Sequence, residues 1–74
     1  RGLAMITLEM IRERLIESIR TSGLTQTEIA KRLGIKQPTV GQYLSGRSMP
    51  ALDTFANLCK ILDADPAYIL CINQ

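Results

Sequence analysis

The chain contains no histidine and no tryptophan, and only two cysteines, two tyrosines and one phenylalanine. Without histidine it lacks the commonest general base and metal ligand. Neither cysteine has a base partner in sequence and the acidic residues are scattered, so an enzyme is not expected. Cys59 and Cys71 follow no metal-binding or redox spacing, and no metal site or cofactor is expected. A single possible disulfide makes no secreted framework. Both cysteines therefore read as small apolar packing residues with reduced thiols, and a cytoplasmic location follows as the expectation. No secretory pattern is visible. No apolar run approaches a membrane span; the longest near the C-terminal end is Tyr68 to Ile72. Sustained alternation, hairpin turns, repeats and low-complexity segments are also missing, which leaves an all-α fold.

What is present fits one small domain. At 74 residues the chain buries only about 60% of its unfolded surface. Apolar residues at 46% and charged residues at 22% are a globular balance rather than a disordered one. The chain opens on Arg1, and Met5 is the expected natural start. Residues 1–6 read as an N-terminal extension, partly foreign, and residues 7–72 as the domain. Charge is unevenly placed. Residues 1–48 carry eight basic and four acidic side chains, a net +4, whereas residues 49–74 carry one basic and three acidic, a net −2. The basic excess suits a polyanion on one face.

That excess coincides with the most strongly punctuated stretch, Leu24 to Ser45. Thr25 followed by Glu28 is a capping box, and Leu24 with Ile29 has the spacing of a hydrophobic staple. Gly34 follows the last apolar position, Leu33, where a left-handed residue stops a helix. Pro38 falls in the first turn of the next helix, which proline tolerates. The reading is a helix over Gln26 to Leu33, a turn at Ile35 and Lys36, and a helix over about Gln37 to Ser45. Ile29, Ala30 and Leu33 face inward from the first. Ala30 is small enough for the two helices to cross closely. Val40 and Leu44 are expected buried in the second, with Tyr43 partly covered and Lys36, Gln37, Thr39 and Gln42 outside. Gly41 is anomalous, costing about 1 kcal/mol against alanine in mid-helix. Either a neighbouring backbone, DNA or a partner subunit approaches closely there, or the position is merely tolerant.

Around this unit, Thr7 caps a helix expected to run to about Ser22, with Leu8, Ile11, Leu15 and Ile19 as its apolar stripe. Arg14 with Glu17, and Glu17 with Arg20, are spaced to interact. After the polar loop Ser45 to Ser48, Pro50 introduces a helix over Ala51 to about Leu62. Its core face is Leu52, Phe55, Leu58, Cys59 and Leu62. Asp65 and Pro66 begin a last short helix, Pro66 to Leu70. Cys71 and Ile72 are more than one small core needs and are expected to lie exposed.

The ordered set L-T-Q-T-E-I-A-K-R-L-G-I, P-T-V-G-Q-Y-L-S-G and M-P-A-L-D-T-F-A-N-L-C-K-I-L-D-A-D-P-A-Y-I-L resembles lambda-repressor-like helix-turn-helix domains of the phage Cro and repressor type. The likeness covers residues 8 to 70. It implies five helices with the third as recognition helix, and a homodimer on near-palindromic double-stranded DNA with half-sites about 34 Å apart. Lys36, Gln37, Pro38, Thr39 and Gln42 would then face base edges. Arg20, Thr25, Gln26, Ser45, Arg47 and Ser48 would meet phosphates, with Gln26 also bracing the recognition helix. Glutamine presents a donor and an acceptor to adenine, and lysine reaches guanine O6 and N7, which suits these roles. Pro38 cannot donate, so it packs on a thymine methyl or shapes the turn. The implied function is a sequence-specific transcriptional regulator, a repressor of prophage type. Two alternatives remain: an antitoxin that also binds its own promoter, and a protein-contact module. Dimer contacts are expected at Tyr68, Cys71 and Ile72.

Overall fold

The computed structural model describes residues 5–72; Arg1 to Ala4 of the expected extension lie outside the described residues. The chain forms α1 (Leu8–Thr21), α2 (Gln26–Leu33), α3 (Gln37–Ser45), α4 (Leu52–Leu62) and α5 (Pro66–Ile69). No strand occurs among the described residues.

Each boundary has a local cause. The Thr7 hydroxyl accepts the Met10 amide at 3.2 Å and starts α1. Thr25 and Glu28 close the capping box in both directions: the Thr25 hydroxyl accepts the Glu28 amide at 3.1 Å, and Glu28 Oε1 accepts the Thr25 amide at 2.8 Å. These bonds, the backbone one first, hold the Glu28 carboxyl below its ordinary pKa. The αL residues Gly34 and Gly46, at φ 72° and 80°, end α2 and α3. The Asp65 side chain accepts the Ala67 amide at 2.9 Å and starts α5.

The helices enclose one core. Leu15, Ile29, Val40, Leu58 and Ile69, one from each helix, are fully buried at its centre. Ile19, Ala30, Tyr43, Phe55 and Cys59 surround them, and Leu24 packs on the outside as the staple requires. α2 packs against α3 and α4, while α1 packs against α3 and α5. Among the described residues no helix is long and apolar enough to cross a membrane.

Four burial expectations need correction. Leu8 is 56% exposed and Leu52 86% exposed. Each is the first residue of its helix and lies beyond the end of the core, although its phase is apolar. On α3 it is Tyr43 that is buried and Leu44 that is half-buried, so the helix is rotated relative to the expected face. Burial raises the Tyr43 phenol pKa. Cys71 is not exposed: it is 7% accessible, because the chain turns back there in a left-handed conformation, φ 65°. Ile72 after it is 58% exposed, as expected. Of the spaced charges on α1, Arg14 and Glu17 are engaged by α5. Arg14 donates to the Tyr68 carbonyl at 2.7 Å and stacks over its ring at 4.6 Å. The Tyr68 hydroxyl donates to Glu17 at 2.7 Å.

Candidate nucleic-acid interface

The outward surface of α3 follows from its register. At 3.6 residues per turn, Gln37, Gly41 and Ser45 form one row along the helix, and Pro38 and Gln42 form the adjacent row. Val40 and Tyr43 take the opposite side into the core. Gln37, Pro38, Gln42 and Ser45 are exposed and Thr39 is half-buried, so Thr39 sits at the margin of this surface. Lys36 is the exposed N-cap residue of α3, with extended backbone (φ −79°, ψ 143°).

α2 supplies the contact that orients this surface. Gln37 Nε2 donates to Gln26 Oε1 at 2.9 Å, joining the first residue of each helix. Gly41 lies beneath the same amide: a Cβ there would stand 3.4 Å from Gln26 Oε1. The close neighbour at Gly41 is thus a side chain of α2 rather than a backbone. The glycine leaves a trough in the exposed row between Gln37 and Ser45. One N–H of Gln37 is committed to Gln26, and its second N–H and its carbonyl remain available outward.

The other end of α3 is a tight loop. The amides of Gly46, Arg47 and Ser48 all converge on the Gln42 carbonyl, the last two at 3.0 and 3.4 Å. The Ser45 hydroxyl donates to that carbonyl at 3.1 Å, so its proton is directed into the helix rather than outward. Arg47 is exposed and Ser48 half-buried. Thr25 uses its hydroxyl as an acceptor within the capping box. Arg20 is exposed in the last turn of α1, where a cation also suits the helix dipole. The structure therefore joins Gln26, Gln37 and Gly41 into one unit and Gln42, Ser45, Arg47 and Ser48 into another. Each unit is centred on α3, with Gln26 contributed by α2 and Arg47 and Ser48 by the loop after α3. Arg20 belongs to neither.

One residue beside this surface was not singled out in the sequence. Arg12 of α1 lies against the C-cap of α3, where a Cβ on Gly46 would stand 3.1 Å from Arg12 Cδ. In sequence it is one of several charges around α1, and no local spacing links it to a glycine so far along the chain.

A helix-turn-helix family model matches residues 16–69, well over half of the chain. The chain belongs to the lambda-repressor-like helix-turn-helix family. Among its relatives are the HTH-type transcriptional regulators for conjugative element R391 of Providencia rettgeri and for conjugative element SXT of Vibrio cholerae. Each is 42% identical over 41 residues, which is 55% of this chain and 19% of the relative. Antitoxin HigA1 of Mycobacterium tuberculosis is 44% identical over 41 residues, 55% of this chain and 28% of the relative. The matched stretch is thus a minor part of these proteins' length. No solved structure is a significant match.

Proposed function

We propose that this helix-turn-helix domain binds double-stranded DNA with sequence preference and serves a transcriptional regulator, a repressor of the prophage or mobile-element type. The observation that carries the reading is the exposed row pair on α3 with its first glutamine tied to α2. A major groove about 12 Å wide admits a helix. A side chain that reads a base edge must also be held in one orientation before the base arrives, or ordering it costs entropy. Gln26 holds Gln37 in this way. The N–H and carbonyl left on Gln37 match N7 and N6 of adenine, so each half-site is expected to carry an adenine at that contact. Gln42 and Lys36 read neighbouring base edges, Thr39 lies at the margin, and Pro38 offers an apolar surface to a thymine methyl. Gln26, Arg47, Ser48, Thr25 and Arg20 are assigned to phosphates. Ser45 takes that role only if its hydroxyl turns away from the Gln42 carbonyl.

The domain acts as a homodimer in this reading, with contact at the exposed Tyr68 and Ile72. Cys71, being buried, is removed from that surface. Sedimentation with and without operator DNA tests the dimer, and a strict monomer on a palindrome refutes it. A second reading has a specific observation behind it: the likeness to antitoxin HigA1 supports a toxin-neutralising role beside promoter binding. Co-purification of a small partner protein separates that role from plain repression.

Selection of bound duplexes from a random DNA pool tests the main reading. The expected product is a near-palindrome with half-sites about one helical turn apart. Recovery of no preferred sequence, with binding only at low salt, refutes sequence-specific recognition. Absence of any DNA binding would leave the domain as a protein-contact module.

A further inference from the structure

We propose that Arg12 is an additional phosphate-binding residue, a cation that α1 holds beside the loop after the recognition helix. The inference rests on the DNA-binding reading above and adds to it a contact from a helix outside the helix-turn-helix. The stem of Arg12 lies on Gly46, whose left-handed conformation (φ 80°) and missing Cβ leave room for it. Arg12 Nε is buried and has no hydrogen-bond partner. A guanidinium placed this way is held by packing of its stem and not by an ion pair at Nε. Its hydrogen-bonding capacity is left to the two terminal amines, which carry four of its five N–H groups.

A cap on α3 does not account for it. The Gln42 carbonyl already accepts from the Gly46, Arg47 and Ser48 amides, and the Tyr43 carbonyl from Gly46. α3 has no basic residue in its own last turn, so Arg12 is the cation that α1 brings to that end. Gly46 directly precedes Arg47 and Ser48, which places the guanidinium at the edge of the surface assigned to the DNA backbone. Guanidinium suits a phosphate diester there because two amines can meet two oxygens. A prepositioned stem also lowers the entropy lost on contact. The charge has a ready use, since neutralising one phosphate releases condensed counterion and strengthens binding to any sequence.

The test compares wild type, Arg12→Met, Arg12→Gln and Arg12→Lys on the selected operator and on a random duplex across a salt series. Thermal melts of each variant run in parallel. Arg12→Met keeps the stem against Gly46 and removes the charge. At 0.1 M salt it should bind both duplexes about tenfold more weakly, and the slope of log K against log salt should shrink by about one. Its melting temperature should be unchanged or higher, and Arg12→Lys should restore the slope. If Arg12→Met melts lower, Arg12→Gln must still show the smaller slope. An unchanged slope in both neutral variants overturns the proposal and leaves Arg12 as a packing residue. If wild type itself shifts no duplex at low salt, the DNA-binding reading fails first, and the two failures are told apart.

Discussion

Helices α2 and α3 end differently from α4 and α5. A left-handed residue stands at or just past the end of each. The helix-turn-helix uses glycine for this, at Gly34 and Gly46, whereas α4 is capped by Asp63 at φ 54°, and α5 ends at Leu70 (φ −78°) with the left-handed Cys71 (φ 65°) just after it. A non-glycine residue in that region costs on the order of 1 kcal/mol. The difference extends to side chains. The α2–α3 unit carries a reciprocal capping box and the Gln26–Gln37 bridge, while α5 is tied to α1 through Arg14, Tyr68 and Glu17. The helix-turn-helix is thus set by its own capping and bridging bonds. α4 is set by burial against α2, and α5 by its Asp65 cap and its contacts with α1. A surface that must hold side chains in fixed places is best carried on backbone whose ends are unstrained.

The largest test of that contrast lies in the core, which both regions share. Ile29→Ala and Leu58→Ala each remove a fully buried side chain, one from each region. Each should cost about 2–5 kcal/mol, measured by urea unfolding. A much smaller loss for Leu58→Ala would mean that the C-terminal helices are not part of one cooperative core. Gln37→Ala comes next. It should weaken operator binding by ~1–3 kcal/mol and random-DNA binding by less, as read in equilibrium titrations. Equal losses on both would remove Gln37 from base readout.

Backbone tests are smaller. Gly46→Ala should destabilise by about 1–2 kcal/mol, since alanine resists the left-handed region. It should do so by more than Gly34→Ala. The added Cβ meets Arg12 at Gly46, whereas nothing lies within 4 Å at Gly34. Asp63→Gly should act in the opposite direction and raise stability by about 0.5–1 kcal/mol. A loss on Asp63→Gly would show that Asp63 contributes more than its conformation costs. The smallest effect concerns Glu28, whose pKa is lowered in the folded state, chiefly by the Thr25 amide. Its stabilisation is therefore present above the unfolded value of about 4.3 and is lost as pH falls through the lower folded value. The melting temperature of Glu28→Gln should lie below wild type at neutral pH and converge with it in acid. A gap that persists at low pH would assign the effect to packing instead.

Much of this was legible from residue order. The limits of α2 and α3 follow from Thr25, Glu28, Gly34 and Pro38, because caps act within a few residues and need no tertiary partner. α1, α4 and α5 each differ by one residue at one end from the limits that residue order implies. Side-chain depth was harder. Leu8 and Leu52 share the apolar phase of their helices, but periodicity does not say how far the core extends along an axis. Tyr43 and Leu44 are adjacent and differ by about 100° around the helix, and only the seating of α1 and α2 against α3 decides which is buried.

Sequence alone determined the helix-turn-helix, its polar outer row and the excess of positive charge beside it. These depend on short-range capping, on i, i+4 spacing and on composition. Tertiary structure decided three further matters: that Gln26 restrains Gln37 across a trough left by Gly41, that Cys71 turns inward, and that Arg12 lies against Gly46. Each joins residues whose separation along the chain carries no periodic signal. Such contacts exist only once burial of Leu15, Ile29, Val40, Leu58 and Ile69 has fixed how the helices cross.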